Sequence, residues 1–155
     1  MTNLETFANI FKQINHFDRY QGLTFEIIAP GEIKYRLTIE EKHLSSPGTA
    51  HGAVIAGMMD CVLGLAALTQ AITENGLTST VEFKLNFIRP VKLGDELVGH
   101  GKVEFRGKSL IISEGEIKHA VSQKLIAKGL GTFNTYPLEK KEDLYAHFTS
   151  GNPTP

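Results

Sequence analysis

The sequence has little of what most enzyme or secreted classes require. Cys61 is the single cysteine, so no disulfide can form within the chain, and this usage is typical of a reducing compartment. The 6 histidines show neither H-x-x-x-H nor H-E-x-x-H spacing, so we expect no metal site. A glycine-rich phosphate loop and a G-x-S-x-G motif are also absent. These absences argue against disulfide-rich, metal-dependent, nucleotide-binding and serine-hydrolase classes.

An excess of charge is absent too. Sixteen basic and seventeen acidic residues give a formal net charge of -1, which indicates no bulk attraction to nucleic acid or to an anionic membrane. The first residues, MTNLETFANIFKQINHF, lack the basic region and apolar core of a secretory signal, so we expect a cytoplasmic protein. Its 155 residues, 41% hydrophobic and 21% charged, are typical of one globular domain.

The most informative segment is the apolar run at residues 51–72, HGAVIAGMMDCVLGLAALTQAI, which predicts one long helix. A helix that is hydrophobic on all sides is expected to be buried. Asp60 stands in its middle, and an ionised carboxylate is costly to bury unless something pairs with it or uses it. The length would suffice for a membrane span, but the central charge argues against one.

Around that helix the sequence predicts a short amphipathic helix at residues 3–14 and about six strands. Val81, Phe83, Leu85 and Phe87 alternate with polar residues, which indicates a strand with one buried face. We expect strands at 23–29, 32–39, 81–87, 96–106, 109–119 and 123–136, a loop at 43–50 and a charged tail at 138–155, in part a short surface helix.

Strands joined by short turns favour antiparallel pairing, and a helix apolar on all sides must be wrapped by such a sheet. The sequence therefore predicts an α+β domain over residues 1–137, in which a curved antiparallel sheet of about six strands surrounds a long central helix. Whatever part of the helix the sheet leaves exposed needs a partner, which favours a homodimer.

The spacing of two polar residues on the helix also points to a dimer. His51 opens the helix nine positions before Asp60. At ~100° and ~1.5 Å per residue, Asp60 lies about half a turn around and about 13 Å along from His51. One copy of the helix cannot bring these groups together, whereas two antiparallel copies can.

Two runs, GTAHGAVIAGMMD at residues 48–60 and TVEFKLNFIRPVKLGD at residues 80–95, resemble the PaaI-like group of hotdog-fold acyl-CoA thioesterases. The resemblance covers roughly residues 20–136. It implies a hotdog fold and hydrolysis of an acyl- or aryl-CoA thioester to the free acid and CoA. It further implies sites shared across a dimer interface, with a dimer of dimers as a second assembly, and no cofactor.

Thioester hydrolysis needs a nucleophile or a base that activates water, together with donors for the oxyanion. From spacing alone, Asp60 fits this chemistry as well as it fits a structural ion pair. By the resemblance, Asp60 is the general base or nucleophile and the Gly52 N–H polarises the thioester carbonyl, as suits a helix N-terminus. His51, by the same resemblance, orients the site or the substrate.

The resemblance extends to two hydroxyl residues with one departure. Many PaaI-like members carry an Asn six residues before the histidine, where this chain has Ser45. A hydroxyl can still hold a water, with fewer donors than an amide. Thr80 matches a Ser or Thr that can hydrogen-bond the attacking water, although a β-branched residue also simply suits a strand.

Basic and polar residues at strand ends are the candidates for binding CoA, since guanidinium and ammonium groups suit phosphates. They are Arg89, Arg106, Lys108 and Ser109. Asn86 and Pro90 fit the family pattern but are expected to be structural.

Three other functions stay open from the sequence. The main alternative is a non-catalytic module that binds acyl-CoA or lipid, in which the missing Asn reflects lost hydrolysis. A hotdog hydratase or dehydratase is a second alternative, although a different spacing of His and Asp is expected there. A purely structural dimer with a satisfied Asp60 is the third.

Overall fold

The computed structural model describes residues 4–143 and 146. The helices are α1 (Leu4–Ile14), α2 (His16–Gln21) and α3 (Gly52–Thr73). The strands are β1 (Thr24–Ala29), β2 (Glu32–Thr38), β3 (Leu44–Ser46), β4 (Thr49–Ala50), β5 (Gly76–Phe87), β6 (Glu96–Arg106), β7 (Leu110–His119) and β8 (Leu125–Pro137). Two 3-10 turns, Glu41–His43 and Leu138–Lys140, complete the described elements.

Six strands form one antiparallel sheet in the order β1-β2-β6-β7-β8-β5, with β1 and β5 at its edges. The long helix α3 lies against this sheet and contacts five of its strands, β2, β5, β6, β7 and β8. The predicted fold class, a sheet of about six antiparallel strands around a central helix, is confirmed.

The sheet and α3 approach each other closely because glycines face the helix. A Cβ on Gly101 would lie 2.3 Å from the Val62 carbonyl oxygen, and one on Gly99 would lie 2.4 Å from Val62 Cγ2. Side chains at these positions would push the helix off the sheet. The glycines of β6 thus set the distance at which the helix buries its apolar face.

Half of the most apolar window of α3 is buried inside this single chain. By length and composition the helix would pass as a membrane span, and it is the core helix of the domain. The opposite side stays partly exposed, with Ala56, Gly57, Asp60 and Gly64 along it. Asp60 is therefore at the surface of one chain and not enclosed by it.

The helix α2 was not anticipated from the sequence. It has only 6 residues, too few for a periodic pattern, and its signals lie at its ends. The Asn15 side chain accepts a hydrogen bond from the Asp18 N–H at 3.1 Å, and Gly22 ends the helix at φ 79°. Its Phe17 ring lies against α3, within 2.9 Å of where a Cβ on Gly57 would stand.

The predicted loop at residues 43–50 is a small hairpin instead, formed by β3 and β4. The loop prediction was wrong because tertiary partners order this segment. The Ala50 N–H donates to the Val91 carbonyl at 2.9 Å, and Thr49 forms a bridge with Lys92. The hairpin leads directly into the start of α3.

The strand β5 begins at Gly76, five residues before the predicted start at Val81, directly after Asn75 at φ 57°. Thr80 pairs with Phe133 and Glu82 pairs with Thr132, so Val81 is left as a bulge.

The bulge turns Val81 out of the buried face that the alternation had predicted for it, and Val81 is 58% exposed. Phe83 and Leu85 are half-buried, as the pattern indicated. Phe87, predicted on the same buried face, is 59% exposed in the single chain. Since β5 is an edge strand, its outer side has no strand partner within the described part of the chain.

Near the end of the described residues, Leu138 is buried at 2% exposure. Most of the predicted tail at 138–155 lies outside the described residues.

Candidate active site

Asp60 and Thr80 meet where α3 crosses the first half of β5. The Thr80 hydroxyl donates a hydrogen bond to Asp60 Oδ1 at 3.2 Å. Asp60 is partly exposed and Thr80 is exposed. The carboxylate is thus oriented by a hydroxyl and remains open to an incoming molecule. This contact joins residues 20 positions apart, both of which were singled out from the sequence as candidate site residues.

Gly52 and His51 lie at the start of α3, eight and nine positions before Asp60. Gly52 is the first residue of the helix, and its N–H has no hydrogen-bond partner among the described residues. His51 is the N-cap, and its Nδ1 accepts from the Ala53 N–H at 2.9 Å. A neutral imidazole with Nδ1 accepting carries its proton on Nε2, so His51 presents a donor outward.

One chain does not bring these two groups together. Gly52 lies beside Phe87, whose ring is 3.6 Å from where a Cβ on Gly52 would stand. Asp60 lies beside Thr80, seven residues earlier in the same strand. Within one chain, the carboxylate and the helix N–H therefore lie beside different parts of β5.

A cleft of about 190 Å³ opens beside Asp60. It lies between α3, β5 and the N-terminal helices. Its lining is mainly apolar, with a few polar groups near Asp60: Phe11, Asn15, Tyr35, Asp60, Cys61, Gly64, Leu65, Leu68, Thr78, Thr80 and Phe133. Most of these residues were not identified from the sequence, because they come from five separate elements and carry no motif of their own.

Beneath the cleft lies a buried carboxyl that sequence reasoning also missed. Asp18 is 5% exposed, accepts from the Tyr35 hydroxyl at 2.7 Å and accepts from the Cys61 thiol at 3.5 Å. Burial raises the pKa of Asp18, and it also raises the pKa values of Tyr35 and Cys61 well above their usual range. Cys61 is therefore a thiol donor within the core and not a thiolate nucleophile.

Ser45 lies on β3, in the hairpin that precedes α3, and is exposed. Its hydroxyl has no hydrogen-bond partner within the described residues. The backbone ties this hairpin to the helix start, because the His51 N–H donates to the His43 carbonyl at 2.8 Å. Ser45 is thus near the Gly52 end of the molecule and is not placed against Asp60 of its own chain.

Of the four candidates for CoA binding, two already have partners. Arg89 donates to the Leu125 carbonyl at 2.6 Å. Arg106 binds Glu74 through two nitrogens, at 2.6 and 3.0 Å, and these hydrogen bonds hold the pKa of the Glu74 carboxyl below its usual value.

Lys108 and Ser109 lie exposed in the turn between β6 and β7. The Ser109 carbonyl accepts from the Thr135 N–H at 2.8 Å, which leaves the Ser109 hydroxyl available. Across the part of the chain that the structure describes, no three His, Cys, Asp or Glu side chains lie close enough together to hold a metal ion.

Comparison with known proteins identifies the family of this chain. Residues 47–126, which include the whole of α3 and the Thr80–Asp60 contact, match the model of the thioesterase superfamily. Human acyl-coenzyme A thioesterase 13 is 31% identical over 119 residues, which are 76% of this chain and 83% of the human protein.

Solved structures show the same fold. The PaaI protein of E. coli, from the phenylacetic acid degradation operon, superposes with a TM-score of 0.78 at 18% identity, over 88% of this chain and 96% of that protein. Zebra fish thioesterase superfamily member 2 superposes with a TM-score of 0.75 at 23% identity, over 86% and 99% of the two chains. The chain belongs to the thioesterase superfamily and has the hotdog fold of these solved structures.

Proposed function

We propose that this protein is an acyl-CoA thioesterase that hydrolyses an acyl- or aryl-CoA ester to the free acid and CoA at sites shared by two copies of the chain. The observation that carries the proposal is the Asp60 carboxylate, oriented by Thr80 and open at the mouth of an apolar cleft. A carboxylate so placed reaches a thioester whose acyl group fills the cleft.

The reaction needs a base or nucleophile, a donor for the oxyanion, and groups that hold the water and the substrate. Asp60 either takes a proton from water that attacks the carbonyl carbon or attacks that carbon itself, and in the second case water then hydrolyses the acyl-Asp60 anhydride to release the acid. The Gly52 N–H, at the positive end of α3, donates to the oxygen that becomes negatively charged. The C–S bond then breaks and CoA leaves as the thiolate, which takes up a proton. Thr80 and Ser45 hold the water, and His51 orients the substrate through its Nε2 donor.

The shared site follows from β5. An antiparallel pairing of β5 with its copy about a two-fold axis near the strand's middle sets the Thr80 end of one copy against the Phe87 end of the other. Thr80 pairs with Phe133 of β8, and Phe87 pairs with Ala127. Phe133 and Ala127 are both buried on the face of the sheet that packs against α3, so Thr80 and Phe87 lie on that face too.

This pairing brings Asp60 toward the Gly52 N–H of the second copy. It also covers apolar groups that one chain leaves exposed, namely Val81 at 58%, Phe87 at 59% and Ile88 at 44%. A dimer of dimers would extend the same assembly.

For CoA, we assign the Lys108 ammonium group and the Ser109 hydroxyl, neither of which has a side-chain partner among the described residues. Arg89 and Arg106 contribute positive charge from fixed positions, and the charge of Arg106 is offset by Glu74. We place the protein in the cytoplasm because its one cysteine, Cys61, is a free thiol.

The test is release of free thiol from a panel of acyl- and aryl-CoA esters by wild type and Asp60→Asn. We expect the substitution to lower kcat by about 10²- to 10⁴-fold, the range for loss of a positioned base. Glu104→Gln, which changes an exposed carboxylate on β6, is the matched control and should keep full activity. Activity that survives in Asp60→Asn contradicts the role of Asp60. Tight binding of esters by wild type with no turnover identifies a binding module instead.

A further inference from the structure

We infer that the cleft beside Asp60 limits the acyl group to about eight carbons, or to one ring of similar size, and that Phe11 and Leu68 set this limit. The inference rests on the proposed function for its choice of substrate and goes beyond it in naming a size class.

The cleft follows α3 away from Asp60. Along the helix its lining continues through Cys61, Gly64 and Leu65 and ends at Leu68. Eight positions separate Asp60 from Leu68, which is about 12 Å at the helical rise. An extended chain covers about 1.2 Å per bond, so roughly ten bonds fit between the carboxylate and Leu68. The thioester itself takes two of these bonds, which leaves about eight carbons.

The volume of the cleft indicates an acyl group of the same size. A cavity of about 150 Å³ lined by Leu, Ile and Phe binds one benzene molecule. The cleft, at about 190 Å³, is somewhat larger. One ring with a short linker or a medium-length chain fills this space, whereas a long fatty chain would extend beyond it.

One wall of the cleft is Phe11 of α1, and its ring packs against other aromatic side chains. Phe11 stacks on Phe7 with ring centroids 5.3 Å apart and meets the edge of Phe25 at 5.7 Å. Phe7 is fully buried. Because its neighbours are packed in the core, Phe11 cannot swing aside without breaking the cluster that anchors α1.

Two polar groups of the lining are already hydrogen-bonded within the chain. The Tyr35 hydroxyl and the Cys61 thiol both donate to Asp18, beneath the cleft. Phe11 and Leu68 are half-buried and offer apolar surface to the acyl group, whereas Leu65 and Phe133 are almost fully buried behind them. Such a wall selects by size and apolar area, at about fourfold in affinity for each buried methylene.

The experiment compares saturated acyl-CoA esters of 4 to 16 carbons, each below its micellar concentration, in two readouts. The first is kcat/KM of wild type, and the second is the Kd of each ester for Asp60→Asn by calorimetry. In both, we expect about a fourfold gain per methylene up to about eight carbons and no further gain beyond, with a drop of about tenfold or more at sixteen.

Variants at the wall should move the limit in opposite directions. Leu68→Ala and Phe11→Ala should shift it by about two carbons toward longer chains, since each removes side-chain length at the wall. Gly64→Ala, whose Cβ would lie 3.5 Å from the Phe133 ring, should shift it toward shorter chains. Val121→Ala, in an exposed turn, is the control and should leave it unchanged.

The size limit is overturned if sixteen-carbon esters match eight-carbon esters in both readouts. It is equally overturned if Leu68→Ala, shown to be folded by circular dichroism, leaves the limit unmoved. If the Kd values show the size limit but wild type has no turnover, this inference stands and the proposed hydrolysis is contradicted. The two failures are therefore distinguishable.

Discussion

The Thr80 hydroxyl donates a hydrogen bond to Asp60 Oδ1 at 3.2 Å, from an exposed position on an edge strand to the middle of the core helix. The bond fixes one oxygen of the carboxylate and leaves the other without a hydrogen-bond partner among the described residues. It also places a second oxygen, that of Thr80, within reach of any water that Asp60 holds. The contact thus gives Thr80 a role that substitution can separate from its role in the strand.

Thr80→Val should lower kcat by about ten- to hundredfold, because a hydrogen bond to a charged group contributes about 1.5–3 kcal/mol. Valine keeps the β-branched shape that a strand favours, so stability should change little. Thr80→Ser restores the hydroxyl and should keep most of the activity. Steady-state thiol release and thermal unfolding of the three proteins are the measurements. Equal activity of the Val and Ser variants would show that the hydroxyl takes no part.

Gly52→Pro should abolish activity and leave the helix intact. Gly52 is the first helical residue, where proline is well tolerated and where its main effect is to remove the N–H. His51 already has the extended conformation that precedes a proline, with φ -67° and ψ 137°. Gly52→Ala keeps the N–H, and its Cβ would meet Phe87 at an ordinary 3.6 Å, so it should remain active. Thiol release and circular dichroism of both variants check the prediction.

Mixing the two inactive variants, Asp60→Asn and Gly52→Pro, tests whether the site is shared. Each hybrid dimer would contain one site with Asp60 from one subunit and Gly52 from the other. Random exchange should therefore restore about a quarter of wild-type activity in a two-fold dimer. Hybrid formation is verified by native mass spectrometry. Confirmed hybrids with no recovered activity would mean that each site lies within one chain.

The sequence predicted what local pattern encodes. The start of α3 at His51–Gly52 and its end near Asn75 follow from a continuous apolar run with a break after it. Thr80 and Asp60 were identified as candidate site residues through a resemblance, and the structure brings them into contact because β5 returns along the helix that precedes it. Their chemical roles remain proposals.

What the sequence did not predict depends on contacts between distant segments. Asp18 meets Tyr35 and Cys61 across 17 and 43 positions, and no periodicity of either segment indicates this. The bulge at Val81 also cannot be predicted from a strict alternation of apolar and polar residues. One extra residue in the strand moves every side chain that precedes it to the opposite face of the sheet. The cleft shares this origin, because it is assembled from five elements.

Asp18→Asn should change how stability depends on pH. Burial raises the pKa of Asp18 above 3.8, so the folded protein holds this proton to a higher pH than the unfolded chain does. The contribution of Asp18 to stability is therefore largest below pH 3.8 and is lost as the pH rises through the raised pKa. Asparagine has no such titration and can still accept from the Tyr35 hydroxyl.

The measurement is urea unfolding of wild type and Asp18→Asn from pH 4 to pH 8 at one protein concentration. The free energy of unfolding of wild type should fall relative to that of the variant as the pH rises, and the difference should level off above the raised pKa. A difference that is constant with pH, or that changes in favour of wild type, would mean that burial of Asp18 does not disfavour its charge.

Gly101→Ala should destabilise the fold by about 3 kcal/mol or more, toward the upper end for an overpacked core. Its Cβ would lie 2.3 Å from the Val62 carbonyl oxygen, and a backbone atom in the middle of a helix cannot turn aside as a side chain can. The whole of α3 would have to move away from the sheet.

Gly64→Ala is the matched control within the same interface, since its nearest neighbour, the Phe133 ring, would be 3.5 Å away. That variant should be neutral or stabilised by up to about 1 kcal/mol, because alanine favours the helix. Urea unfolding of both variants separates these outcomes, and a loss below about 1 kcal/mol in Gly101→Ala would show that the helix is not held at the distance the glycines allow.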